Sequence, residues 1–496
     1  MIFRRENVNK QPRDVEKKDI SVVDSSVAKK SMMGTSIGNA MEWFDFGIYS
    51  FLAVTIGKVF FPEIDPSFQL IYAFATFAVA FIARPLGGMF FGMMGDRIGR
   101  KNVLAITMIL MSAATLSIGL IPSFAAIGIT AQVLLLLARL VQGFSTGGEY
   151  AGAMTYIAET TPDKNRSFMA SGLEVGTLVG FIAGAGLVTL LTSILGSETM
   201  VDWGWRIPFF IAAPLGIIGF YFRNHLDETP AFEAMNQTIE ERKEHSSLRE
   251  IFAEHWKALL ICTAIVIFYN VMSYTVLTYM PSYMSEELGY SEQKGLLLLV
   301  LVMIAMVPMV LAMGHLSDRF GRNRILKAGL FGAIILSIPA FMLVRSGNIY
   351  AAFFGLLILG TLLSTLQGSL PATLPSLFFT KVRYGALAIT YNTATSLFGG
   401  TTPLLVAWLV SVTDNKMVPA FYLMGMCAFG IVVVTLFVRE TAGRSLRGSA
   451  PVVEHPSEIK EVLKNPEKAY WWHDEAKPTG KGSLDKGLLT SLLQKH

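Results

Sequence analysis

Charged residues are scarce in this chain, and their scarcity excludes an ordinary water-soluble protein. Asp, Glu, Lys and Arg make up 16% of the 496 residues, whereas soluble domains carry about 25%. Cysteine is rarer still, because Cys262 and Cys427 are the only two and both fall in apolar stretches without the spacing of a metal site. We therefore interpret both cysteines as packing residues, and we predict no bound metal and no cofactor.

Several functional motifs are also missing. The sequence has no phosphate-binding G-x-x-x-x-G-K-[ST] loop, no His/Asp metal cluster and no serine-nucleophile motif. An ATP-driven pump and a membrane-embedded enzyme are therefore disfavoured, and no feature indicates DNA or RNA binding. The first thirty residues alternate in charge and lack an apolar core, so they do not resemble a cleavable signal peptide.

Long apolar runs fill most of the chain instead. A stretch of about 20 apolar residues can cross a bilayer. Twelve windows qualify, near 32–56, 69–94, 102–121, 131–158, 167–194, 205–223, 256–282, 294–316, 325–345, 349–378, 384–411 and 417–438. Because lipid offers backbone groups no hydrogen-bond partner, the spans must be helices. The predicted fold is an all-α membrane protein with twelve transmembrane helices.

The basic residues predict how the chain is oriented. Short loops on one side of the predicted membrane carry most of them: Arg97, Arg100, Lys101, Lys164, Arg166, Arg319, Arg322, Arg324, Lys327, Lys381 and Arg383. The loops on the other side carry few. By the positive-inside rule the basic side is cytoplasmic. An even number of spans then places both termini in the cytoplasm, and we expect a multi-pass protein of the cell inner membrane.

The chain contains an internal repeat. GMMGDRIGRKN follows the second span and GHLSDRFGRNR follows the eighth, while a Gln-Gly pair occurs in the fourth and tenth spans. This pattern predicts two pseudo-symmetric six-helix bundles, a transporter architecture, although a duplicated scaffold without transport is the alternative. The predicted divisions are a cytoplasmic segment 1–30, bundles 31–223 and 256–440, a cytoplasmic central loop 224–255 and a cytoplasmic polar tail 441–496.

The two repeated loops have the composition of gates. We expect their glycines to allow close helix approach and a tight reversal. We expect each aspartate to cap the following helix and to accept from an arginine, while the basic residues contact anionic lipid headgroups. The candidate gating residues are Gly92, Asp96, Arg97, Gly99 and Arg100 in the first loop and Gly314, Asp318, Arg319, Gly321 and Arg322 in the second. An ordinary basic turn is the simpler alternative.

These features together resemble the major facilitator superfamily. The stretches GNAMEWFDFGIY, RPLGGMFFG, RLVQGFSTGGEYAGA, DWGWRIPFF and DETPAF further resemble its metabolite:proton symporter family, over roughly residues 30–445. Within that family the chain looks most similar to osmoprotectant transporters of proline and glycine betaine. The resemblance implies import of small zwitterionic solutes by proton symport with alternating access. Other family members carry organic anions such as dicarboxylates, which remain an alternative.

Ionisable residues stand inside several predicted spans. Each costs about 2.5–3.5 kcal/mol at bilayer depth, so such residues normally face a cavity or a partner. Glu42 and Asp45 share one face of the first span, and two close carboxylates resist simultaneous ionisation. With Arg84, Arg139 and Glu149 they form our candidate proton-coupling set, in which an arginine pairs with the ionised carboxylate. The alternative is a permanently paired network that only fixes helix packing. For Glu174 the sequence favours neither the functional role nor the packing role.

A zwitterion needs partners for both of its charges. Aromatic faces bind quaternary ammonium groups, and amides and arginines bind carboxylates. The candidate solute-binding residues are Asn39, Trp43, Tyr49, Gln142, Tyr150, Asn270, Tyr274 and Asn392. Helical spacing directs Trp43 away from the face that carries Glu42. For each aromatic residue alone, packing or lipid contact is favoured over solute binding, so the zwitterion prediction depends mainly on the resemblance.

The tail lacks the device that some osmosensing relatives carry. A coiled coil requires apolar a and d positions over several heptads, and the tail does not show them. One short helix is predicted at EIKEVLKN, and the aromatic stretch YWWH at 470–473 is suited to the headgroup level. A solute sensor built on a transporter scaffold is a further alternative to a symporter.

Overall fold

The computed structural model describes residues 20–98, 100–224 and 252–464. Twelve long helical segments follow one another, and we number them α1 to α12. The first six are α1 Ser25–Phe51 (continued by Ala53–Phe60), α2 Pro66–Ile98, α3 Arg100–Leu120, α4 Ile129–Ser145 (continued by Thr146–Gly148 and Glu149–Glu159), α5 Arg166–Thr199 and α6 Arg206–Asn224. The last six are α7 Trp256–Ser273 (continued by Tyr274–Tyr279, Met280–Ser282 and Tyr283–Glu287), α8 Glu292–Phe320, α9 Arg322–Val344, α10 Ile349–Thr373, α11 Thr380–Ala394 (continued by Thr395–Gly399 and Thr402–Thr413) and α12 Val418–Phe437.

The segments match the twelve predicted spans. Within the described ranges, nine helices are long and apolar enough to cross a membrane, and the bent pair that forms α1 makes a tenth. The parts Ile106–Leu120 and Arg206–Ile218 are shorter apolar helices. The all-α, twelve-helix fold class is therefore confirmed. The central loop prediction lies almost entirely outside the described residues.

Three helices are interrupted in ways that hydropathy does not show. α1 bends by 58° between Phe51 and Ala53, and α7 contains wider π-helical turns at Tyr274–Tyr279 and Tyr283–Glu287. α11 has a similar turn at Thr395–Gly399 before the helix resumes at Thr402. Wider turns of this kind often mark functional positions in helices.

The helices pack as two bundles. In the first, α1 packs against α5 and α6, α2 against α4, and α3 against α4 and α6. In the second, α7 packs against α11 and α12, α9 against α10 and α12, and α8 against α10. The bundles meet mainly where α5 contacts α8 and α10 and where α2 contacts α11.

The repeated Gln-Gly pairs make equivalent contacts in the two bundles. A Cβ atom on Gly143 of α4 would overlap the backbone carbonyl of Ala80 in α2. A Cβ atom on Gly368 of α10 would lie 2.6 Å from the backbone nitrogen of Gly314 in α8. Both glycines therefore allow close helix approach. The sequence repeat corresponds to a repeated contact between equivalent helices.

Both ends of the described chain meet at one end of the molecule. Strand β1 (Ser21–Val22) pairs in parallel with strand β2 (Val452–Val453). The backbone N–H of Val452 also donates to Asp163, in the α4–α5 connection. We call this end the terminal face. The predicted tail helix is present as α13, Ile459–Lys464, whereas YWWH lies outside the described residues.

Candidate functional site

A buried ion pair joins α1 to α2. The Arg84 Nη2 atom lies 3.3 Å from the Glu42 Oε1 atom, and neither side chain is more than 1% exposed. The guanidinium also lies over the rings of Phe81 and Phe46, at 5.4 and 5.6 Å from their centroids. Two charges removed from solvent must compensate each other, so loss of either leaves a costly unpaired charge.

A chain of hydrogen bonds connects Asp45 to Arg139 through three helices. Thr115 of α3 donates to the Asp45 carboxylate at 3.1 Å and accepts from Gln142 of α4 at 2.7 Å. Arg139 donates to the Gln142 side-chain oxygen at 2.5 Å. The Arg139 guanidinium also lies 4.2 Å from the ring centroid of Tyr49. Asp45 and Arg139, both predicted from sequence, therefore belong to one polar network.

The three candidate proton-coupling carboxylates meet at one small cavity. Glu42, Asp45 and Glu149 all line it, inside the first bundle. The remaining lining residues, from α1, α3 and α6, are Met41, Met108, Met111, Ser112, Leu215 and Gly216. Its volume is about 10 Å³, which is room for about one water molecule. The arrangement brings carboxylates from α1 and α4 to one small cavity whose other lining residues are mostly apolar.

Aromatic side chains fill the middle of the interface between the bundles. Trp43 of α1 lies 6.2 Å from Tyr274 of α7 and 5.3 Å from Phe181 of α5, measured between ring centroids. Tyr274 also contacts Phe81 of α2 edge to face, at 5.6 Å. Trp43 thus faces the second bundle, while Glu42 pairs with α2. Helical spacing predicts that Trp43 and Glu42 point in different directions from α1, and in the structure the two side chains contact different helices.

The candidate solute-binding residues fall into two groups. Asn39 donates to the Leu173 carbonyl at 2.8 Å and to Thr177 at 2.7 Å, which ties α1 to α5. Asn270 donates to Thr395 at 2.9 Å within the second bundle. Tyr49 and Gln142 likewise have partners in the first bundle. By contrast, Trp43, Tyr150, Tyr274 and Asn392 contact residues of the opposite bundle.

Glu174 has a more central position than the sequence indicated. It accepts hydrogen bonds from Tyr150 of α4, from Tyr269 of α7 at 2.9 Å and from Gln367 of α10 at 3.2 Å. The carboxylate therefore joins three further helices across both bundles. Two features of the sequence pointed to this site, namely an acidic residue within an apolar span and the repeated Gln-Gly pair. Nothing in the sequence indicated that Glu174 would contact Gln367 of the second pair.

The second repeated loop differs from its prediction in the contacts of its aspartate. Asp318 does not cap the following helix: its carboxylate accepts from the backbone N–H groups of Ser167 and Phe168, at 2.9 and 2.8 Å, at the start of α5. The N-terminus of α9 is bound instead by Glu440, which accepts from the backbone N–H of Arg322 at 3.0 Å. This happens because α8 ends beside the first bundle, so the nearest free N–H groups belong to α5.

Other predictions for this loop agree with the structure. Gly321 has a φ of 106°, a value that favours glycine, at the reversal between α8 and α9. The Arg322 Nη2 atom lies 3.9 Å from the Asp318 carboxylate, an ion pair too long for the expected hydrogen bond, and the Arg322 Nε donates to Ser167 at 2.9 Å. Arg319 is exposed. In the first loop, Gly99 is outside the described residues, as are the side chains of Asp96, Arg97 and Arg100; Gly92 lies in α2.

The segment after α12 crosses the terminal face. Arg166 donates to the Arg444 carbonyl at 2.8 Å, and Arg383 donates to the Arg447 carbonyl at 2.7 Å. Lys164 forms ion pairs with two carboxylates beyond β2, those of Glu454 and Glu458. This part of the tail is therefore folded against both bundles. His455 stands beside the two glutamates, so the group has the composition of a metal site, but the Lys164 ammonium is close enough to balance its charge.

Comparison with known proteins identifies the family. The profile described as "Major Facilitator Superfamily" matches residues 35–403. The chain belongs to the Major Facilitator Superfamily. This confirms the resemblance that was based on the repeated loops and the two bundles. As a member of this family, the chain is a multi-pass membrane transporter.

Characterised superfamily members are similar over nearly the whole chain. A proline/betaine transporter of Salmonella typhimurium is 48% identical, covering 90% of each protein. A proline/betaine transporter of Escherichia coli K12 is 47% identical, covering 92% of each. A glycine betaine/proline/ectoine/pipecolic acid transporter of Dickeya dadantii is 47% identical, covering 90% of each. The predicted resemblance to the proline and betaine branch is confirmed.

Solved structures of superfamily members share the fold. The proton:xylose symporter XylE bound to 6-bromo-6-deoxy-D-glucose gives a TM-score of 0.70 at 18% identity, covering 89% of this chain and 100% of the other. Another crystal structure of a D-xylose–proton symporter gives 0.65 at 19% identity, covering 84% and 99%. At this identity the likeness concerns architecture.

Proposed function

We propose that this superfamily member imports small zwitterionic osmolytes, such as proline and glycine betaine, by proton symport. The similarity to the named proline/betaine transporters supports the solute class. The observation that carries the proton coupling is that Glu42, Asp45 and Glu149 line a single cavity at bilayer depth. Acidic residues inside membrane spans commonly form proton relays.

In the proposed mechanism, a proton neutralises a carboxylate of this cavity. Protonation of Glu42 weakens its attraction to Arg84, because the pair is held by opposite charges in a dry environment. The released guanidinium becomes available to the solute carboxylate. Arg139 keeps the neighbouring network ordered through Gln142. Deprotonation after the bundles tilt restores the pair and expels the solute.

We propose that the terminal face is cytoplasmic and that both termini lie there, in the inner membrane of a bacterium. The basic loops on this face support that orientation. The division into bundles 31–223 and 256–440, with polar segments 1–30, 224–255 and 441–496, belongs to the same proposal. In the second repeated loop the exposed Arg319 is available to anionic lipid headgroups, whereas Arg322 is buried and cannot contact them.

The second repeated loop and an ion pair between α4 and α11 act as latches in this account. Asp318 joins the second bundle to the start of α5, and Arg383 of α11 pairs with Glu159 of α4 at 2.7 Å. Both contacts cross the interface at the terminal face. They hold that face closed, and opening toward the cytoplasm requires them to break.

Uptake by purified protein in proteoliposomes tests this function. An inward-directed proton gradient should drive accumulation of labelled proline and glycine betaine, and collapsing the gradient with a protonophore should abolish it. Accumulation of a labelled dicarboxylate instead of the zwitterions would indicate the organic-anion alternative. Binding of betaine without any net uptake would instead indicate a solute sensor.

A further inference from the structure

Glu174 is a buried carboxylate whose partners are all neutral. It is 1% exposed and accepts from two tyrosine hydroxyls and one glutamine amide. Among the described residues, no lysine or arginine forms an ion pair with it, in contrast to the Glu42–Arg84 pair. A buried charge without a counter-charge is costly. A single positive charge bound beside Glu174 would therefore be stabilised by the carboxylate.

The surroundings of Glu174 are aromatic on more than one side. The rings of Tyr150 and Tyr391 are stacked, with centroids 4.6 Å apart and planes inclined by 24°. Tyr269, which also donates to Glu174, comes from α7. All three tyrosines are buried, and they belong to both bundles. Tyrosine faces beside a carboxylate are the chemical environment that recognises a substituted ammonium group.

A positive charge lies among the aromatic side chains of the same interface. The Arg84 guanidinium lies 5.4 Å from the ring centroid of Phe81, and Phe81 contacts Tyr274 of α7 at 5.6 Å between ring centroids. The interface between the bundles thus contains an acidic group, Glu174, and a basic group, Arg84. A zwitterion that enters this interface has the first as a partner for its ammonium and the second as a partner for its carboxylate.

We propose that Glu174, with the rings of Tyr150, Tyr269 and Tyr391, binds the cationic end of the transported zwitterion. This inference rests on the proposed function. In the described structure the tyrosine hydroxyls and Gln367 occupy the carboxylate. When solute enters, its ammonium supplies the missing counter-charge, and the contacts that Glu174 makes with both bundles are exchanged for contacts with the solute.

The test compares two ligands of the same shape and different charge. Glycine betaine carries a trimethylammonium group, and tert-butylacetate carries a neutral tert-butyl group in the same place. Binding to purified protein in nanodiscs is measured by competition against labelled glycine betaine. Wild-type protein should bind betaine about tenfold more tightly or better, since close charge pairing and aromatic contact each favour the cation.

Glu174→Gln should weaken betaine binding by about tenfold while leaving tert-butylacetate nearly unchanged, because only the charged ligand loses a partner. Glu174→Asp keeps the charge and should retain the discrimination. Tyr391→Leu should reduce it, whereas Tyr391→Phe should not. Glu198→Gln, at an exposed position of α5, serves as the matched control.

Two results would overturn the inference. One is an equal loss of affinity for both ligands in Glu174→Gln, which assigns Glu174 to packing between the bundles. The other is unchanged discrimination with altered pH dependence of uptake, which makes Glu174 a proton site instead. Failure of the wild-type protein to bind betaine at all would reject the proposed function itself. If Glu174→Gln does not fold, the Tyr391 pair decides the question in the same assay.

Discussion

The Asp318 carboxylate of the second bundle is 2.9 Å from the backbone nitrogen of Ser167, at the start of α5 in the first bundle. A residue from one repeated loop thus caps a helix of the opposite bundle. A capping interaction of this kind contributes about 0.5–2 kcal/mol. Because it crosses the interface, its energy favours the arrangement in which the terminal face is closed.

Replacing this cap should open the terminal face more often. Asp318→Ala removes both hydrogen bonds to α5, so we expect Ser171→Cys, introduced at the contact between α5 and Gly314, to react several-fold faster with a water-soluble maleimide. Arg324→Ala, at an exposed position of α9 outside the candidate gating set, is the control and should leave the rate nearly unchanged. Equal labelling rates in Asp318→Ala and wild-type protein would remove the latch from the account.

Gly143 should be far less tolerant of a methyl group than Gly186. In Gly143→Ala the new Cβ would overlap the Ala80 carbonyl, so α2 and α4 must separate, and overpacking of this kind costs about 1–3 kcal/mol. Nothing lies within 4 Å of a Cβ on Gly186 of α5, so Gly186→Ala should be neutral or slightly stabilising. Thermal unfolding in detergent compares the two variants, and equal midpoints would contradict the described packing.

The two kinds of ion pair at the terminal face should differ in their contribution to stability. Arg383 is fully buried where it meets Glu159, so Glu159→Ala should cost about 3–5 kcal/mol. The Lys164 side chain is 47% exposed where it meets Glu458, so Lys164→Ala should cost less than about 1 kcal/mol. A similar fall in unfolding temperature for both variants would show that burial does not set their strength.

The sequence predicted the architecture well because the membrane imposes a simple rule. Lipid requires helices of a minimum apolar length, so hydropathy alone located the twelve spans. The Gln-Gly pairs revealed the repeat in the sequence, and the structure adds that Gly143 and Gly368 each lie in a close helix contact. That a buried carboxylate pairs with an arginine was predicted because a charge at bilayer depth needs a partner, but the sequence left the choice between Arg84 and Arg139 open.

The contacts that were missed all join residues distant in the chain. The partners of Glu174 come from α4, α7 and α10, and periodicity within α5 contains no information about them. The partner of Asp318 depended on which helix start lies beside the end of α8. The bend in α1 and the π-helical turns of α7 are set by packing against neighbours, so a count of apolar residues does not reveal them.

The most direct test of proton coupling is the measurement of proton flux together with solute uptake in Glu42→Gln, with Glu198→Gln as the matched control. A pH-sensitive dye inside proteoliposomes should report acidification when glycine betaine enters through the wild-type and control proteins. The account predicts that Glu42→Gln abolishes this acidification and the accumulation driven by a pH gradient, while exchange of betaine across the membrane persists. Acidification at the wild-type rate in Glu42→Gln would contradict it.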